Sequence, residues 1–227
     1  MLKNNWFLTG TDTDAGKTVV SCALLQTARN AGFCCAGYKP VASGSEMTEE
    51  GLRNSDALAL WRHTVPAVSY AQINPYTFAE PTSPHIVSEL TQTPLEFSVM
   101  TDGLHALNQQ ADWVLTEGAG GWFTPLSATQ SYADWAAQMR MPVILVVGVK
   151  LGCINHALLT VLAIQQAGLT LAGWVANEVT PPGLRQPEYL ATLNNQIPAP
   201  CLGVLPHLPD PMNQDLSGYL SLPVSAH

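Results

Sequence analysis

Charge is scarce in this chain. Only 11% of its 227 residues are Asp, Glu, Lys or Arg, and nine Lys and Arg against seventeen Asp and Glu leave a net charge of −8. A duplex-binding protein needs a basic patch to displace counterions from phosphate, so no nucleic-acid partner is expected. Long apolar runs are missing too. None approaches the roughly 20 residues that cross a bilayer, so no membrane association is expected. The five cysteines, Cys22, Cys34, Cys35, Cys153 and Cys201, are odd in number and lack the pair spacing of a metal site. They read as buried free thiols of a reducing compartment. The six histidines show no ligand spacing, which argues against zinc. No G-x-S-x-G elbow occurs, which removes one hydrolase class. The first strand-like run begins within a few residues of Met1, leaving no room for a signal peptide. The expectation is a cytoplasmic protein. Its length fits a single α/β domain over residues 1–227.

Apolar residues, at 47%, are ample for a core, so the chain is not of the solvating, disordered type. Strand-like runs at 5–9, 33–38, 112–116, 142–149, 169–176 and 201–205 alternate with helical stretches at 18–31, 55–63, 95–110, 131–140, 154–167 and 184–196. A short helix is expected near 84–90, with Ser55 as N-cap of the 55–63 helix. Residues 39–54 read as a polar loop, 64–94 as proline-rich and irregular, and the tail after Pro209 has little periodicity. Alternation of this kind implies βαβ units and a doubly wound, mostly parallel sheet with helices on both faces. Ligands then collect at the carboxyl ends of the strands.

The strongest motif is strand, then Gly10-Thr11-Asp12-Thr13-Asp14-Ala15-Gly16-Lys17-Thr18, then helix. Its glycines are one residue further apart than in the usual G-x-x-x-x-G-K-[ST]. The mechanics survive: loop amides and the helix N-terminus cradle phosphate oxygens, Lys17 reaches the β- and γ-phosphates, and Thr18 offers a hydroxyl to Mg²⁺. Asp12 and Asp14 are unexpected beside a triphosphate. They either meet a cation or the Mg²⁺ water shell, or point to solvent.

Glu117 closes the strand DWVLT ahead of Gly118-Ala119-Gly120-Gly121, a Walker-B position for a carboxylate supporting Mg²⁺. Asp56 is either a further metal-side carboxylate or a first-turn acid favoured by the helix dipole. Only four lysines occur: Lys3, Lys17, Lys39 and Lys150. Lys39, with Ser43 in the same KPVASGS segment, follows a strand and can stabilise charge that develops in phosphoryl transfer. The turn Lys150-Leu151-Gly152-Cys153-Ile154-Asn155 either offers free amides to a small carboxylate or is a plain strand-to-helix connection. Asn177 ends a strand and can read a purine edge. The guanine-reading N-K-x-D pattern is absent because Glu178 follows, which favours adenine.

The blocks GTDTDAGKT, AGYKPVASGS, GLRNSDALAL, NPYTFAEPTSPH, EGAGGWFTPL, PVILVVGVKLGCINHALLT, LAGWVAN and VTPPG closely resemble the dethiobiotin synthetases of bacterial biotin synthesis, in the same order over residues 5–206. The resemblance implies a P-loop NTPase-type fold and an ATP-dependent cyclo-ligase. Its substrates are 7,8-diaminononanoate (7,8-diaminopelargonate), CO₂ and ATP. A carbamate forms on one amine, is phosphorylated to a carbamic-phosphoric anhydride, and is attacked by the second amine to close the ring, with ADP and phosphate released.

It further implies that Thr18, Asp56 and Glu117 hold Mg²⁺, and that Lys17, Lys39 and Thr13 act on the reacting groups. Asp14, Ala15, Gly16, Lys17, Thr18 and Val19 bind nucleotide with Gly118, Ala119 and Gly120, and Asn177, Glu178, Leu205, Pro206 and His207 flank the base. Asp12, Thr13 and Ser43 meet the diamine or its carbamate. Gly152, Cys153, Ile154, Asn155 and Tyr189 receive the substrate carboxylate from the partner subunit of a homodimer. Many relatives carry glutamate where this chain has Asp14. Two other readings of a P-loop are a nucleotide switch and an amidotransferase-type ligase. The first often carries a second lysine early in the loop, where Asp12 and Asp14 stand here. The second needs an ammonia-releasing domain for which the chain is too short.

Overall fold

The computed structural model describes residues 4–224, so Lys3 lies outside the described residues. Its centre is a six-stranded parallel sheet built from β1 (Asn5–Gly10), β2 (Cys35–Tyr38), β7 (Trp113–Glu117), β8 (Val143–Gly148), β9 (Leu171–Asn177) and β10 (Cys201–Leu205). The strand order is β10-β9-β8-β1-β7-β2. Every residue of β1, β7 and β8 is buried, so the sheet is covered on both faces, which explains the unbroken apolar run VILVVG. The covering helices are α1 (Lys17–Asn30), α2 (Ser55–His63), α4 (Pro84–Leu90), α5 (Phe97–Asn108), α6 (Tyr132–Gln138), α7 (Cys153–Gln166) and α8 (Gln186–Gln196). The doubly wound parallel reading of the sequence therefore holds.

The register matters for function. Leu8 stands beside Glu117, Gly10 beside Val146, Gly148 beside Asn177, and Asn177 beside Leu205. Five strands thus end along one sheet edge. β1 lies between β7 and β8, whose chain positions are far away, so the strand order changes direction there and opens a crevice. Behind that edge Phe7 packs with Trp122, Tyr132 and Trp135 at centroid distances of 6.1, 5.8 and 6.3 Å. Trp122 thereby pulls the glycine segment after β7 back onto the core.

Several local expectations need correction. The strand expected over 33–38 begins only at Cys35, because Phe33 N–H closes back on the Ala28 carbonyl at the end of α1. The segment 39–54 is not a bare loop. It carries β3 (Val41–Ala42), paired with β6 (Tyr76–Thr77), and a hairpin of β4 (Glu46–Thr48) with β5 (Gly51–Arg53). The irregular stretch 64–94 also contains a one-turn helix, α3 (Tyr70–Ile73). The N-cap of α2 is Asn54 rather than Ser55. The Asn54 side-chain oxygen accepts from Asp56 N and Ala57 N, and Ser55 is already helical. The tail is ordered by side chains, not periodicity: buried Gln26 of α1 donates to the Gln214 carbonyl at 3.0 Å and accepts from Leu216 N at 2.8 Å.

Candidate active site

β1 delivers the chain to the crevice, and Gly16 turns it into α1. Gly16 has φ +80°, and a side chain there would collide with the Asn177 amide. Glycine is therefore required by conformation and by space. The loop is held from below: the Asn177 amide donates to the Ala15 carbonyl at 2.9 Å, and Thr11 N–H to the Val146 carbonyl at 3.0 Å. The Lys17 ammonium folds over the loop and donates to the carbonyls of Asp12 at 3.1 Å and Thr13 at 3.3 Å. Burial pulls its pKa below the ordinary lysine value, and the nearby Glu117 carboxylate only partly offsets that.

Glu117 is fully buried at the end of β7 and gathers the second cluster. Its Oε1 accepts from Lys39 Nζ at 2.7 Å and from Thr18 Oγ1 at 3.0 Å, and its Oε2 accepts from Ser21 Oγ at 2.6 Å. Lys39 Nζ also lies 3.2 Å from Asp56 Oδ2. Burial opposes the charge on Lys39, but the Glu117 and Asp56 carboxylates outweigh it and hold the ammonium above its ordinary pKa. Burial likewise opposes ionisation of Asp56. Lys39 and the Thr18 hydroxyl prevail and hold that carboxyl below the ordinary range. A third cluster joins the loop to the turn after β8. Lys150 Nζ sits 2.5 Å from Asp12 Oδ2, which raises the lysine pKa.

These groups surround a cleft of about 450 Å³ lined by Thr13, Asp14, Gly16, Lys17, Thr18, Val19, Lys39, Ala42, Ser43, Asp56, Ala119 and Gly120. The sequence-derived residues of the loop, of KPVASGS and of the segment after β7 therefore meet in one place. Ala15 is buried beneath the loop, and Gly118 N–H is tied to the Leu8 carbonyl at 3.0 Å. Asn177, Glu178, Leu205, Pro206 and His207 gather at the ends of β9 and β10, where Glu178 N–H donates to the Leu205 carbonyl at 2.9 Å and its carboxylate accepts from His207 N at 3.4 Å. Gly152, Cys153, Ile154, Asn155 and Tyr189 do not line the cleft. Gly152 caps α7, Cys153 is buried, and Tyr189 lies on α8.

Two partners escaped the sequence reading. Ser21 lies three residues after Thr18 on α1, hence on the same helix face, and that spacing was the available signal. The pairing of Lys150 with Asp12 joins residues far apart in the chain and had no local signature. Among the described residues no group of three or more His, Cys, Asp and Glu side chains could hold a metal ion. The oxygen donors near Lys39 are two carboxylates and a hydroxyl. Such a hard, partial set suits Mg²⁺, which keeps several waters and shares ligands with phosphate.

The profile of the AAA domain family matches residues 4–215. The ATP-dependent dethiobiotin synthetase BioD 1 of Escherichia coli (strain K12) is 64% identical over 222 residues, covering 97% of this chain and 99% of that protein. The chain belongs to the dethiobiotin synthetase family. The family's BioD of Pseudescherichia vulneris is 66% identical over 207 residues, covering 91% of this chain and 86% of that protein. Its counterpart in Serratia marcescens is 58% identical over 226 residues, covering 99% and 100%. Solved structures show how widely the synthetase fold is shared. A ParA family ATPase from Chlorobium tepidum TLS superposes with a TM-score of 0.58 at 9% identity, covering 96% of this chain and 90% of that one. The MinC:MinD cell division protein complex of Aquifex aeolicus gives 0.58 at 11% identity, covering 96% and 86%.

Proposed function

We propose that the chain is an ATP-dependent cyclo-ligase that makes dethiobiotin from 7,8-diaminononanoate, CO₂ and ATP. The observation that carries this is the meeting, in one cleft, of a phosphate-binding loop with a buried lysine–carboxylate cluster, in a chain 64% identical to a named dethiobiotin synthetase. Loop amides from Asp14 to Val19 and the N-terminus of α1 hold the phosphates, with Gly118 to Gly120 closing the far side. Asn177, Glu178, Leu205, Pro206 and His207 flank the base.

Charge balance in the cleft explains the need for a dication. Lys17 and Lys39 face Asp14, Asp56 and Glu117, two cations against three anions, so the protein alone does not neutralise a triphosphate. Thr18, Asp56 and Glu117 are the residues that would hold Mg²⁺. When bound, that ion neutralises phosphate oxygens during transfer.

Lys17 releases the loop carbonyls to grip the transferring group, and Lys39 stabilises charge developing on it. Thr13 and Ser43, on the cleft wall, orient the carbamate, and Asp12, which holds Lys150 beside the loop, faces the diamine. The carbamate oxygen takes the γ-phosphoryl group and ADP departs. The second amine then attacks the activated carbonyl, phosphate leaves, and the ring closes. Phosphorylation is necessary because an unmodified carbamate oxygen is a poor leaving group.

The carboxylate end of the substrate is assigned to Gly152, Cys153, Ile154, Asn155 and Tyr189 of a second copy in a homodimer. Leu151 in that turn, and Leu159 and Leu162 along α7, are 89%, 58% and 61% exposed and would be covered by such a partner. Phosphate release with Mg-ATP, bicarbonate and diaminononanoate tests the reading. Release should depend on the diamine. Release indifferent to diamine would mark a nucleotide switch, and release requiring glutamine an amidotransferase.

A further inference from the structure

Three uncharged side chains stand behind the cleft wall without lining it: Asn54, Tyr70 and Asn74, only 4%, 6% and 2% exposed. Asn74 Nδ2 donates to the Lys39 carbonyl at 2.7 Å and to the Tyr76 carbonyl at 3.0 Å. Its Oδ1 accepts from Tyr70 Oη at 2.9 Å and Thr77 Oγ1 at 2.8 Å, so the amide is saturated and its orientation fixed. The Tyr70 hydroxyl accepts in turn from Asn54 N–H at 2.8 Å. Asn54 then reaches the other two cleft residues. Its Oδ1 accepts from Asp56 N at 3.1 Å, and its Nδ2 donates to the Ser43 carbonyl at 3.2 Å.

An unbroken chain of hydrogen bonds thus runs from the backbone of Lys39 to the backbones of Asp56 and Ser43. We propose that Asn54, Tyr70 and Asn74 form a positioning relay that sets Lys39, Ser43 and Asp56 in register across the cleft, an inference that rests on reading that cleft as the ring-closing site. The relay explains α3. A four-residue helix is too short to be stable by itself, and here it serves to place Tyr70 at its first residue and Asn74 at its end. The Tyr70 ring is gripped by the Arg53 guanidinium, 4.4 Å from its centroid, and by Trp61 edge-on at 6.0 Å. The hydroxyl is thereby aimed at the joint between the two asparagines. Buried networks of this kind are rigid only when fully satisfied, so losing one member loosens all three cleft residues together.

Tyr70→Phe tests the relay because it keeps the ring and its stacking and removes only the bridge. In diamine-dependent phosphate release, kcat should fall about tenfold or more, as for a small misplacement of reacting groups. The Mg²⁺ concentration for half-maximal rate should rise several-fold, because Asp56 is displaced from Lys39. Nucleotide affinity by titration calorimetry without added Mg²⁺ should stay within about twofold, since none of the relay's hydrogen bonds reaches the loop from Gly10 to Thr18.

A second variant, Asn54→Ser, keeps the helix cap but loses the donor to Ser43, and should raise KM for the diamine more than it lowers kcat. Wild-type enzyme is run in the same assay. If it shows no diamine-dependent release, the reading of the cleft fails. If wild type is active and Tyr70→Phe matches it in kcat and Mg²⁺ requirement, the relay alone is overturned. The relay is likewise overturned if Tyr70→Phe lowers only the melting temperature.

Discussion

Replacing Lys39 by methionine should cost stability as well as activity, and the size of the loss follows from the cluster around it. The Lys39 and Glu117 side chains are 4% and 0% exposed, and their charged atoms are 2.7 Å apart. At an effective dielectric constant near 20, that contact is worth about 6 kcal/mol of attraction. Desolvating the two ions offsets much of it, so the pair in place is close to neutral. Removing one partner is different, because a buried charge is left behind, at a typical cost of about 3–5 kcal/mol. The Thr18 and Ser21 hydroxyls still reach Glu117, and the Lys17 charge still attracts it, which favours the lower part of that range. Urea unfolding should therefore show Lys39→Met less stable by about 3 kcal/mol with an unchanged slope. Adding Glu117→Gln should recover about half or more of that loss, since a neutral amide is buried far more cheaply than a carboxylate. Phosphate release by the single variant should drop by ~10². A stability loss under about 1 kcal/mol, or no recovery in the double variant, would mean that Lys39 does not neutralise a buried Glu117.

Three further outcomes are expected. Lys17→Met should raise the melting temperature while abolishing nucleotide binding, because burial holds the lysine below its ordinary value of 10.5. The folded wild type then binds fewer protons than the unfolded chain just below pH 10.5, so its stability should climb as pH rises in that window, a climb absent from the variant. Gly16→Ala should weaken nucleotide binding at least tenfold by calorimetry, since φ +80° and the adjacent Asn177 amide both oppose a side chain, as befits strain of about 1–3 kcal/mol; unchanged affinity contradicts it. Asp56 is held below the carboxyl value of 3.8 despite burial, chiefly by Lys39, so its contribution is present above that pH and lost as pH falls through the lower folded value. Asp56→Asn should flatten this acid limb only slightly in pH-dependent unfolding, because the side chain is 42% exposed and screened.

The sheet and its helices were legible in the sequence because strand and helix periods differ and glycines punctuate them. The run 142–149 announced β8, and Gly32 and Gly168 marked helix ends. The crevice was legible because its residues sit directly after strands: Lys39 after β2, Glu117 at the end of β7, Asn177 at the end of β9. Contacts made by partners distant in the chain were not. Nothing local announces that Lys150 finds Asp12, or that Tyr70 reaches back to Asn54. The misplaced cap of α2 has a similar cause. Asn54 and Ser55 are both good cap residues, and only the backbone decides between them: Asn54 is extended, with ψ at 134°. The two-residue strands β3 and β6 pair with each other over a wide sequence gap and are too short to show alternation.

Ring closure is best tested on the product. The enzyme is incubated with Mg-ATP, diaminononanoate and ¹³C-bicarbonate, and the products are analysed by mass spectrometry alongside ADP. A cyclic urea that carries the labelled carbon as its carbonyl should form in step with ADP. ADP that accumulates without labelled urea, or labelled urea that forms without ATP, would contradict ATP-driven ring closure in this cleft.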